Sequence, residues 1–152
     1  MTDMSHSGLR GKFPKMKTYP FTCNRRVNWG DMDAYGHVNN TRYFQYFEDA
    51  RIRYFEQLAS IEDLFAKDIA IVVASTSCKF KLPLTYPDNL TIAVKVDHVD
   101  DSRFTMTYLI GSDKLGKVVA QGDAQMVAVS TRDGQPLEIP ANVRDEMQLS
   151  VT

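Results

Sequence analysis

Between Asn40 and Ala59 the apolar and aromatic residues Tyr43, Phe44, Phe47, Ala50, Tyr54 and Leu58 recur at spacings of three and four, the pattern of a helix with one buried face. Beyond it the period drops to two. Thr76, Cys78, Phe80 and Leu82 alternate with Ser77, Lys79 and Lys81; Leu90, Ile92, Val94 and Val96 with Thr91, Lys95 and Asp97; Phe104, Met106, Tyr108 and Ile110 with Thr105 and Thr107. These predict half-buried strands. Turns are expected at Tyr86-Pro87-Asp88-Asn89, Asp100-Asp101-Ser102 and Gly111-Ser112-Asp113, with a last strand from Lys117 to Ser130. A first strand is predicted over Tyr19–Asn28, ended by the glycines and aspartates of Trp29–Gly36. Short helical pieces are expected at Ile61–Lys67 and Pro140–Gln148.

A helix of twenty residues is about 30 Å long, and a ten-residue strand spans about 33 Å. A twisted antiparallel meander of that length can curl round one helix, which gives an α+β architecture. Asn39 or Asn40 can cap the helix, and Glu48 with Arg51 and Asp49 with Arg53 are spaced to pair on its outer face. The outer face of the sheet is half apolar, so another copy of the chain is expected to cover part of it. Residues 1–17, with Gly8, Gly11, Pro14 and scattered basic side chains, are expected to form a flexible N-terminal extension, and 18–152 a single domain.

Composition narrows the functions open to such a fold. The 152 residues are 43% hydrophobic and 24% charged with a formal net charge of −1, too balanced for a chain that neutralises a phosphate backbone. Nucleic acid is therefore not expected as a partner. The longest apolar run, Ile69–Ala74, falls far short of the roughly 20 residues of a spanning helix. Cys23 and Cys78 form no Cys-x-x-Cys pattern and are expected to be buried thiols. The basic first residues lack an apolar stretch, so no secretory signal is read there, and the protein is expected to be cytoplasmic.

The chemistry is concentrated in Trp29-Gly30-Asp31-Met32-Asp33-Ala34-Tyr35-Gly36-His37-Val38-Asn39-Asn40, where the first strand gives way to the long helix. First-turn backbone N–H groups lack intrahelical acceptors and carry the positive end of the helix dipole, so they can stabilise a developing oxyanion. A carboxylate in the same loop can act as general base or nucleophile on the acyl group held there. Asp31 and Asp33 also fit an acidic turn that complements the dipole. Asp-x-Asp-x-x-x-His offers only three candidate metal ligands, so no metal is expected. The stretch Gly111–Lys117 matches most of a phosphate-binding loop, but Val118 replaces the required Ser or Thr and a strand follows. No Gly-x-Ser-x-Gly elbow occurs.

The run Asp31-Met32-Asp33-Ala34-Tyr35-Gly36-His37-Val38-Asn39-Asn40, followed by Tyr43, Tyr46-Phe47-Glu48 and Ala50-Arg51, resembles the motif of the acyl-CoA thioesterases of the 4-hydroxybenzoyl-CoA thioesterase type, which have the hotdog fold. Looser likeness continues through Cys78-Lys79-Phe80 and Pro87-Asp88 to Ser102-Arg103-Phe104. The resemblance implies a curved antiparallel sheet wrapped around one long helix, and a homodimer or homotetramer joined edge to edge with active sites at the subunit interface. It makes Asp33 the catalytic carboxylate and Asn40 the source of the backbone N–H that holds the thioester carbonyl. His37, Asn39, Tyr43, Lys79, Ser102 and Arg103 become substrate-binding candidates. His37 and Asn39 follow the aliphatic rather than the aromatic acyl-CoA branch. No cofactor is implied, coenzyme A being part of the substrate. The competing expectation is an acyl-CoA-binding hotdog module without turnover.

Overall fold

The long helix stands where the three-and-four spacing places it. In the computed structural model, which describes residues 12–65, 68–149 and 151, α1 spans Asn40–Glu56. Asn39 caps it by accepting the Thr41 N–H at 2.9 Å. It ends short of Ala59 because Gln57 donates from its side chain to the Tyr54 carbonyl and the Leu58 N–H reaches back only to Phe55. Tyr43, Tyr46, Phe47, Ala50 and Tyr54 are buried. The Phe47 ring stacks on Tyr108 with centroids 4.7 Å apart.

The strands are β1 (Phe21–Arg26), β2 (Ile69–Phe80), β3 (Asn89–Val99), β4 (Arg103–Ser112) and β5 (Lys117–Ser130), with short helices α2 (Ile61–Phe65) before β2 and α3 (Ala141–Gln148) at the end. They form one antiparallel sheet in the order β1-β3-β4-β5-β2, curled around α1 as a hotdog fold. Only β3, β4 and β5 follow the expected meander; β1 and β2 attach to its two sides. The expected helical stretch to Lys67 reaches Phe65, and its last two residues lie outside the described ones. β2 begins seven residues before Thr76, where the alternation starts. Between Val73 and Ser75 the register against β5 slips, and such a bulge breaks a strict two-residue period. β2 is also an edge strand, so its side chains are largely exposed and selection for burial writes less pattern into it.

The expected pairs on the helix face give way to other partners. Arg51 donates to the Tyr108 hydroxyl at 2.9 Å and Arg53 to the Asn24 carbonyl at 2.7 Å, while Asp49 pairs with Arg25 of β1. The sheet offers these groups fixed partners, which compete with a mobile side chain one turn along the helix. Part of the outer face of the sheet is covered from within the chain. Thr22, Ala93 and Leu109 are paired neighbours across β1, β3 and β4 and are buried on that face. Their cover is the chain's own segment 12–19.

Phe13 and Met16 are 2% and 0% exposed, and with Tyr19, Ala93 and Leu109 they make a second apolar cluster. Successive three-residue turns, Met16 N–H to Phe13 and Tyr19 N–H to Met16, put all three side chains on one side. The Phe13 ring occupies the space over Gly111, where an added Cβ would lie 2.7 Å from it. Lys12 pairs with Asp113, and the Lys95 ammonium sits 4.7 Å from the Tyr19 ring centre. The domain therefore includes residues assigned to a loose extension; the expectation for residues 1–11 lies outside the described residues. Cys23 is buried and Cys78 half-buried, both as free thiols. Among the described residues no helix is long and apolar enough to cross a membrane.

Candidate active site

Asp33 and the start of α1 are brought together by a closed hairpin. The Asp31 carbonyl accepts the Asn39 N–H at 2.9 Å, Met32 and Val38 form an isolated bridge, and the Asp33 N–H reaches the His37 carbonyl at 2.9 Å. Gly36 turns the tip with φ +81°, a left-handed conformation that suits a residue without Cβ. The hairpin is docked by the Val38 N–H on the Leu84 carbonyl at 2.8 Å. At its tip one oxygen of the half-buried Asp33 carboxylate, Oδ1, accepts the Tyr35 N–H at 2.9 Å.

Below the hairpin lies a cavity of about 500 Å³. Asp33, His37, Asn39, Asn40 and Tyr43 line it together with Phe80, Lys81, Leu82 and Pro83. Asn40 is the first residue of α1, so its N–H belongs to the first turn, which has no intrahelical acceptor. The Asn39 carboxamide oxygen is already engaged, accepting from both the N–H and the hydroxyl of Thr41. Tyr43 meets Phe80 edge to face at 4.9 Å, and burial pushes its phenol pKa up, so it stays a neutral wall of the cavity.

Five of the eight candidate residues thus share one cavity. Lys79 lies next to Phe80 on β2, but successive strand residues point to opposite faces, and Lys79 stands in the exposed outer row with Gln121. Ser102 and Arg103 lie at the other end of the sheet: Arg103 pairs with Val127, and Val127 with Val72, whereas Phe80 pairs with Ala120. Within one chain those three do not reach the cavity.

Four lining residues escape a reading of the motif. Phe80, Lys81 and Leu82 continue the alternation and so read as ordinary strand positions, and only the topology, with β2 leading to Leu84 under the hairpin, carries Phe80–Pro83 to the helix start. Asp31 is a different case. It is 5% exposed, and its Oδ2 accepts both the Tyr46 hydroxyl at 2.8 Å and the Asn28 N–H at 2.9 Å. Burial, with the Asp31 carboxylate beside it, drives the Tyr46 pKa far above its ordinary value, so the hydroxyl remains a donor. Asp31 is thus not free to serve the cavity as a base. Among the described residues no group of three or more His, Cys, Asp or Glu side chains converges as a metal site would.

What the arrangement offers is a carboxylate residue and a helix-start residue with an N–H free of intrahelical acceptors on the lining of one cavity, beside aromatic, aliphatic and lysine side chains. The sequence profile of the thioesterase-like superfamily matches residues 27–147. The uncharacterised Bacillus subtilis protein YsmA is 34% identical over 81% of this chain and 82% of its own length. The long-chain acyl-CoA thioesterase FadM of Escherichia coli is 27% identical over 83% and 96%. The crystal structure of YbaW, a probable thioesterase from Escherichia coli, superposes with a TM-score of 0.75 at 25% identity, covering 86% of this chain and 98% of that one.

Proposed function

The chain belongs to the thioesterase-like superfamily and is a thioester hydrolase, and from that premise we propose that it splits aliphatic acyl-CoA into free acid and coenzyme A at the cavity under the 31–39 hairpin. The observation that carries this is that Asp33 and Asn40, the first residue of α1, line one cavity. The Asn40 N–H polarises the thioester carbonyl and takes up the charge that develops on its oxygen. Asp33 either removes a proton from the attacking water or attacks the carbonyl carbon itself, which expels the coenzyme A thiolate and leaves a mixed anhydride that water splits into free acid and the restored carboxylate. In the first course the water oxygen bonds to the carbonyl carbon, the C–S bond breaks, and the proton held by Asp33 passes to the departing thiolate. The reaction uses water and the chain's own groups; coenzyme A is part of the substrate.

A two-fold assembly through β2 would suit an aliphatic acyl group. β2 ends the sheet with Val72, Val73 and Phe80 each about 40% exposed, an unpaired apolar edge fit to join a second copy as a homodimer. Two β2 strands paired antiparallel about a two-fold axis set the Phe80 end of one beside the Ile69 end of the other. At the Ile69 end lies a second cavity of about 460 Å³ whose lining is mostly apolar, with Ile52, Phe55, Leu64, Ile71 and Met126, but also carries Glu48, Arg51 and Glu56. A hydrocarbon chain leaving the first cavity would find apolar walls there. The relative FadM is named for long-chain acyl-CoA. Free thiols at Cys23 and Cys78 and a coenzyme A substrate fit a cytoplasmic enzyme.

The test is free-thiol release from a panel of acyl-CoAs, straight-chain from short to long with benzoyl-CoA beside them. Turnover that rises with aliphatic chain length is expected. A preference for the aromatic ester would overturn the substrate class, and binding of every member without hydrolysis would leave a binding module.

A further inference from the structure

Asp33 and the α1 amides must keep a fixed separation for the chemistry above, yet Asp33 itself is held only by turn contacts at the hairpin tip. The fixed point lies two residues earlier. Asp31 joins three pieces: its Oδ2 accepts the Tyr46 hydroxyl from the second turn of α1 and the Asn28 N–H from the end of β1, and its backbone carbonyl accepts the N–H of Asn39, the helix cap. Arg42 adds its Nε 3.7 Å from Oδ1. The two ends of the hairpin and the helix that supplies the oxyanion donor are therefore bound to one buried residue.

We propose that Asp31, through Tyr46, is the positioning residue of this active site, setting the distance between the Asp33 carboxylate and the first amides of α1. It touches neither the cavity nor a reacting atom. The inference rests on the thioesterase reading of the cavity, and it assigns to the first aspartate of Asp-x-Asp a role different from that of the second. A shift of a reacting group by about 1 Å can cost about 100-fold in rate, so loosening this anchor is expected to act on turnover before it acts on binding.

The variants are Tyr46→Phe, which deletes one hydroxyl, Asp31→Asn, and the double variant. Expected for each single variant is a fall in kcat of about 10–100-fold, with KM within about threefold of the parent and the acid limb of the kcat profile retained. The double variant is expected to be no slower than the slower single, because both remove one anchor. Phe13→Ala serves as control, since it loosens the fold at a remote patch. If Tyr46→Phe and Asp31→Asn lower the melting temperature as Phe13→Ala does but leave kcat unchanged, Asp31 is scaffold and the proposal falls. If Asp31→Asn abolishes the acid limb, Asp31 is itself the base and the proposal falls.

Amide hydrogen exchange gives a readout that needs no turnover. In Tyr46→Phe the Asp33 and Asn39 amides, bonded to His37 and Asp31, are expected to lose protection while the β3–β5 amides keep theirs. Unchanged protection at both would overturn the proposal. A parent enzyme that hydrolyses no thioester would instead sink the functional reading, with the exchange result still deciding the anchor.

Discussion

Segments 12–19 and 29–39 are both irregular, both lie beside β1, and both are crossed by a glycine, a proline or a run of polar residues, yet they do opposite work. The first is fixed by apolar burial on the outer face of the sheet, with Phe13 and Met16 almost fully enclosed. The second is fixed by hydrogen bonds, around a buried carboxylate, and leaves Asp33, Tyr35 and His37 on the wall of a cavity. Burial without polar groups yields stability and no chemistry. A segment held by polar contacts can present more polar groups, and that is where the site is.

The largest loss of stability should come from the first segment. Phe13→Ala empties the space over Gly111, and truncating a buried Phe typically costs about 3–5 kcal/mol. Denaturant unfolding should show that loss while kcat on the best acyl-CoA stays within about twofold of the parent. A large fall in kcat without loss of stability would mean that the strap, not only the hairpin, serves the site.

Asn39→Ala is the reciprocal change in the second segment. Loss of the cap bond to Thr41 should cost about 0.5–2 kcal/mol, less than Phe13→Ala, but here kcat should fall as well, because the next residue supplies the oxyanion donor. Retained turnover in a destabilised Asn39→Ala would break the contrast between the two segments.

The smallest effect tests a place remote from both. Glu146 of α3 accepts the Ser60 hydroxyl and the Ala59 and Ser60 N–H groups at 2.6–2.9 Å. Partial burial opposes ionisation, but these three bonds outweigh it and hold the carboxyl pKa below its ordinary 4.5. A depressed folded-state pKa gives stability that is present above the unfolded value and is lost as pH falls through the folded one. Glu146→Gln should therefore differ from the parent near neutrality and converge with it in acid, with kcat unaffected. The group is largely exposed, so screening keeps the difference small. A gap that persists unchanged into acid would show that the contact is not ionic.

The same contrast explains what was legible in the sequence. α1 and the inner face of β3 and β4 were legible because alternation and three-and-four spacing record which side faces the core, and β5 was placed by the turn before it. The polar motif Asp31–Asn40 was legible because its polar residues cluster against a helix start, whereas its closure into a hairpin was not read. The strap was not, although Phe13, Met16 and Tyr19 recur every three residues; three isolated apolar side chains among basic ones read as noise until Gly111 shows where they fit. Phe80–Pro83 were hidden for a different reason. Their place at the cavity follows from the order β4-β5-β2, a long-range pairing that no local pattern encodes. The separate natures of Asp31 and Asp33 depend on Tyr46, fifteen residues away, and so on the fold itself.

The account stands most directly on Asp33. Asn keeps the carbonyl oxygen that accepts the Tyr35 N–H, so Asp33→Asn should fold like the parent, while it removes the charge that a base or nucleophile needs. The measurement is kcat of Asp33→Asn on the best acyl-CoA of the panel, beside a binding isotherm for a non-hydrolysable thioether analogue. The account predicts a fall in kcat of about 10²–10⁴-fold with the analogue bound as tightly as by the parent. Hydrolysis by the folded variant within about threefold of the parent would contradict it.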